Sequence, residues 1–60
     1  MTAKQLIKLL NQNGYIEVRQ RGSHKIFQGP DGKMITVPCH SGKDLKPGTL
    51  NQILKDAGLK

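Results

Sequence analysis

The sequence has one cysteine, no tryptophan, only two aromatic residues (Tyr15 and Phe27) and four acidic residues in 60. A lone Cys39 closes no internal disulfide, so the expected setting is a reducing one, the cytoplasm. Long apolar runs are also missing. The richest, Leu6 to Leu10, is interrupted by Lys8 and falls far short of the roughly 20 residues a spanning helix needs. With no small-residue cleavage site after it, it is no secretory leader either. No membrane partner is expected. With two aromatics, a platform on which successive bases of a single strand stack is the least attractive form of nucleic-acid binding.

The scarcity of acid bears on chemistry. Glu17, Asp31, Asp44 and Asp56 do not fall at a spacing that suggests a shared metal, and Cys39-His40 lacks two further ligands. No metal or cofactor is expected. Gly42-Lys43 lacks the glycine five residues earlier that a phosphate-binding loop requires. A Cys39-His40 nucleophile and base pair fails because neighbouring residues of a strand point to opposite sides. Cys39 reads as a small hydrophobe.

What the chain does have is positive charge. Ten Lys and Arg give a net charge of +6 and a pI near 9.9, the electrostatic footprint of a nucleic-acid partner. The 35% of apolar residues suffice for one thin core and one domain, residues 1–60. A chain of this size buries only about 60% of the surface its unfolded state exposes.

Periodicity predicts the order of elements. Thr2 and Gln5 form a capping-box pattern, and Leu6, Ile7, Leu9 and Leu10 recur at helical spacing, giving a helix over 3–12 that ends at Asn13-Gly14. The pattern then changes to period two over 15–21. Gly22-Ser23 turns the chain, 24–28 form a second strand, Gly29 to Gly32 a reverse turn, and 33–38 a third strand. After a polar stretch, Pro47 suits the first turn of a second helix, in which Leu50, Ile53, Leu54 and Ala57 share a face up to Gly58. The fold class is α+β, with three antiparallel strands and both helices on one face. Strand parity assigns Ile16, Val18, Phe27, Ile35 and Val37 to the helices. Tyr15, Arg19, Arg21, His24, Ile26, Met34 and Thr36 then face outward.

His24 thereby joins two arginines on an open face, with Ser23 beside it and Lys25 and Lys33 near the edges. Two readings stand at this level: an ordinary polar strand residue, or a proton-transfer group. Imidazole, with an ordinary pKa of about 6.5, is the side chain best matched to moving protons near neutrality. An RNA substrate would supply its own nucleophile, the 2′-hydroxyl, so a single base could suffice. His40, just past the third strand, reads as a solvated loop residue, with proton donation as the alternative.

Four fragments fall in one order: Gly14-Tyr15, Val18-Arg19-Gln20-Arg21-Gly22-Ser23-His24, Val37-Pro38-Cys39-His40, and Leu45-Lys46-Pro47-Gly48-Thr49-Leu50. Together they resemble the HicA toxins. Lys25 after His24 and Cys39 in place of an aliphatic residue depart from the usual pattern. The resemblance implies a fold like that of double-stranded-RNA-binding domains and a metal-free, ribosome-independent mRNA endoribonuclease. It implies His24 as the catalytic residue, and Arg19, Arg21, Ser23, Lys25 and Lys33 are the candidate RNA contacts. It further implies a HicB antitoxin as partner, the toxin being monomeric when free and hetero-oligomeric with that antitoxin. A non-catalytic module that binds duplex RNA by its shape is the alternative. A third reading makes the charge merely solubilising.

Overall fold

A computed structural model describes residues 1–39 and 44–60. The chain starts with the reciprocal cap that its sequence predicts. The Gln5 N–H donates to Thr2 Oγ1 at 3.2 Å and the Thr2 N–H to Gln5 Oε1 at 2.9 Å. Two donors that a helix start leaves without partners are thereby satisfied. Helix α1 covers Ala3–Gln12 and sinks Ala3, Leu6 and Leu10 into the core. Strands β1 (Ile16–Arg21), β2 (His24–Gln28) and β3 (Met34–Pro38) follow, then α2 (Pro47–Asp56). The sheet is antiparallel in the order β1-β2-β3. This is the α-β-β-β-α arrangement read from periodicity, and among the described residues no helix is long and apolar enough to cross a membrane.

The core lies between the two helices and one face of the sheet. Phe27, Ile35 and Val37 come from the strands, Leu6 and Leu10 from α1, and Ile53 with the neighbouring Ala57 from the other helix region. Leu45 is buried with them, and Cys39 packs against the cluster as a small hydrophobe. The start of the chain is tied to the segment that leads into α2. The Leu45 N–H donates to the Met1 carbonyl at 3.0 Å.

Strand β1 departs from the parity assignment. Ile16 and Val18, expected under the helices, are 67% and 50% exposed, and none of the six β1 residues is buried. Tyr15, expected to face outward, is only 5% exposed. The cause is a register shift between Glu17 and Arg19, where one extra residue enters the strand and breaks the alternation of sides. Arg19 and Ile16 consequently share a face although they are three positions apart. Both helices also rest principally on β3, which leaves β1 beyond their cover.

Tyr15, lying just before the strand, turns inward instead. Its hydroxyl donates to the Ala57 carbonyl at 3.1 Å, satisfying a buried polar group that would otherwise be costly. Its ring lies on Gly29, where an added Cβ would come within 2.7 Å of it. A glycine at 29 is thus the condition for this aromatic to enter the core.

Candidate functional site

The β1–β2 connection is two residues long, Gly22 and Ser23. Gly22 has φ 57°, and no described non-glycine residue has a positive φ. A positive φ at the first central position alone is the type II′ arrangement, whose twist matches that of the flanking strands. Two further bonds brace the turn. The Gln20 Nε2 donates to the Gly22 carbonyl at 3.0 Å, and the Cys39 N–H donates to the Ser23 carbonyl at 2.6 Å.

His24 is the first residue after this braced turn and is exposed. The register sets its neighbours. On the open face, Arg21, His24 and Pro38 form one row across the three strands; Arg19, Ile26 and Thr36 form the next; Ile16, Gln28 and Met34 form the third. Arg21 lies directly opposite His24, and Arg19 sits on the diagonal, about 7–8 Å away for such positions and somewhat less between Cβ atoms. None of the residues in these three rows is acidic. The cations therefore have no internal counter-charge on their own face.

The candidate residues divide into two groups. His24, Arg19, Arg21 and Ser23 converge on one end of the open face. Lys25 does not join them, because it pairs with Val37 and Gln20 on the opposite side of the sheet. There its Nζ lies 3.6 Å from Glu17 Oε1. Lys33 is at the far end of the β2–β3 hairpin, five residues or roughly 17 Å along the strand from the His24 row. It is 3.9 Å from Asp31 Oδ2. His40 and residues 41–43 lie outside the described residues.

Sequence reasoning missed two contributors. Gln20 and the Cys39 backbone hold the turn that presents His24, and only the hydrogen-bond geometry reveals them. It also misplaced Ile16, which lies at the far end of the open face beside Met34, the latter expected there and 53% exposed. A bulge at Val18 leaves no compositional mark, so Ile16 could not be placed by counting. Among the described residues no three His, Cys, Asp or Glu side chains come together as a metal site.

This surface offers an accessible imidazole, two guanidinium groups and a serine on a face without carboxylates. It suits a polyanion whose phosphates lie along the β1–β2 hairpin. No curated protein matches the chain. The family described as the HicA toxin of bacterial toxin-antitoxin matches residues 3–59. With that match spanning nearly every residue, the chain belongs to the HicA toxin family, and so to the toxin side of a bacterial toxin–antitoxin pair.

Proposed function

We propose that this toxin is an endoribonuclease that cleaves mRNA without a metal, using His24 as the base. The observation that carries this reading is the position of His24: exposed, opposite Arg21 and diagonal to Arg19, on a face with no acidic side chain. The imidazole takes the proton of the substrate's 2′-hydroxyl as that oxygen attacks the adjacent phosphorus. The bond from phosphorus to the 5′ oxygen breaks, leaving a cyclic phosphate on one fragment and a 5′-hydroxyl on the other. His40 or water returns a proton to the leaving oxygen.

The arginines act on the charge that develops. Negative charge on the non-bridging phosphate oxygens grows toward the transition state, and fixed guanidinium groups stabilise it most at that point. Arg19, Arg21 and Ser23 make the contacts nearest the cut. Lys25 and Lys33 contribute through the field of the whole chain rather than at the reacting phosphate. A HicB-type antitoxin neutralises the cytoplasmic toxin by covering this face. The toxin is a monomer when free and a hetero-oligomer when bound.

Incubating the purified toxin with mRNA in EDTA tests the reading. Cutting persists in EDTA, and His24→Ala lowers its rate by about 10² to 10⁴, the range general acid–base catalysis supplies. Loss of cutting in EDTA, or undiminished cutting by His24→Ala, rejects it. RNA retained by the wild type but never cut would instead favour the non-catalytic RNA-binding module.

A further inference from the structure

The free edge of β3 differs from the free edge of β1. Natural sheets defend exposed edges with charge, proline or bulges, because unpaired backbone groups invite another strand. Strand β1 has a bulge, and Glu17, Arg19 and Arg21 along its length. Strand β3 reads Met34-Ile35-Thr36-Val37-Pro38 and carries no charge. Its only defence is a proline at its last position.

The hydrogen-bond phase identifies which groups are free. The Gly29 N–H donates to the Lys33 carbonyl at 2.8 Å and the Cys39 N–H to the Ser23 carbonyl at 2.6 Å. Between these two points bonded and non-bonded pairs alternate. Phe27 with Ile35, and Lys25 with Val37, are the bonded pairs. The backbone groups of Met34 and Thr36 therefore point away from β2, and among the described residues they meet no protein partner. They open onto a groove of about 570 Å³ between β3 and α2, lined by Met34, Thr36, Gly48, Thr49, Gln52 and Asp56 among others. A Cβ built on Gly48 meets nothing within 4 Å, so nothing there blocks an incoming chain.

We propose that this edge and its groove are a strand-addition surface, on which the antitoxin lays one extended segment antiparallel or parallel to β3. The occupant is a separate, net-negative protein rather than a second copy of this chain. Backbone donors and acceptors at alternate residues suit an extended polypeptide. Two copies at +6 each repel, whereas a chain of opposite sign is steered toward this one. The inference rests on membership of a toxin–antitoxin pair, not on the cleavage chemistry, and its readout involves no RNA cutting.

Residue-resolved amide hydrogen exchange on the toxin, alone and with its cognate antitoxin, tests it. In the free toxin the Met34 and Thr36 amides exchange faster than those of Ile35 and Val37. With free antitoxin at 100 times its Kd, exchange at Thr36 and Met34 slows by about 100-fold, following the bound fraction. Thr36→Pro deletes one outward N–H while leaving the bonds to β2, and weakens antitoxin binding by about tenfold, the worth of one hydrogen bond. Thr36→Ala, which keeps that N–H, costs less affinity than Thr36→Pro. Gly48→Trp fills the groove from a site with room for a side chain, and lowers affinity if Thr36→Pro fails to fold. Antitoxin binding that leaves these two amides unprotected overturns the proposal. So does protection that rises with toxin concentration alone, which would make the occupant a second copy, or protection given by RNA and not by antitoxin.

Discussion

Phe27 and His24 are three residues apart on β2, yet the two faces of the sheet make opposite demands on them. Phe27 is 1% exposed and lies in one core cluster with residues of both helices; on the other side His24 is exposed and held by a turn. The helix-covered face gathers nearly all the buried apolar surface of a small chain, so substitutions there act on the folded state itself. The open face contributes little burial and is free to carry charge that a core could not accept. The fold is thus made by one side of the sheet and the proposed chemistry belongs to the other, with a shared backbone keeping them in register.

The largest effect that sharpens this contrast comes from truncating the covered side. Phe27→Ala is expected to cost about 3–5 kcal/mol, against a total stability of roughly 3–9 kcal/mol for a chain of this length. Urea unfolding followed by circular dichroism should find this variant largely unfolded, with its cleavage lost as a consequence. His24→Ala, by contrast, should change stability by no more than about 0.5 kcal/mol while removing cleavage. Equal destabilisation by the two would break the division between faces.

A smaller effect concerns Tyr15, which lies in the core rather than on the open side. Tyr15→Phe should destabilise by about 1 kcal/mol, since the Ala57 carbonyl loses its donor in a buried setting. A thermal melt checks it, and no change would return Tyr15 to the solvent side. Next comes the division among the cations. Replacing Arg19 and Arg21 together with alanine should flatten the dependence of RNA binding on salt by about 1.4 in log–log slope, two single-strand phosphate contacts. The pair Lys25→Ala and Lys33→Ala should alter the slope by less than half that. Equal changes from both pairs would assign RNA contact to charge alone rather than to the open face.

The smallest effect lies on the covered side again. Lys25→Ala removes an ion pair with Glu17 whose side chains are 33% and 40% exposed. Screened by solvent, such a pair is worth about 0–1 kcal/mol. A larger loss in chemical unfolding would show that the β1 edge depends on this contact.

Much of this was legible in the sequence, for identifiable reasons. The helix boundaries, the turns and the burial of Phe27, Ile35 and Val37 follow from periodicity, which is a direct image of one covered face. Counting by twos from Arg19 onward puts Arg19, Arg21, His24, Ile26 and Thr36 together, as the register does. The same count fails before Arg19, because the bulge at Val18 adds a residue that no local composition signals. Lys25 could have been separated from His24 by parity alone, since adjacent strand residues face opposite ways; its charge drew it into the group. The bonds that brace the turn were not legible, because that of Gln20 depends on its side-chain rotamer and that of the Cys39 backbone on where the β2–β3 pairing ends.

The central claim is that the open face supplies a base to a nucleophile that the substrate brings. Its most direct test maps where the toxin cuts one short RNA, then replaces the ribose 5′ of that cut by 2′-deoxyribose and measures binding and cleavage together. The account predicts unchanged binding, no cutting at the substituted position, and a cyclic phosphate end on the unsubstituted product. Cutting at the deoxy position at the original rate would contradict it.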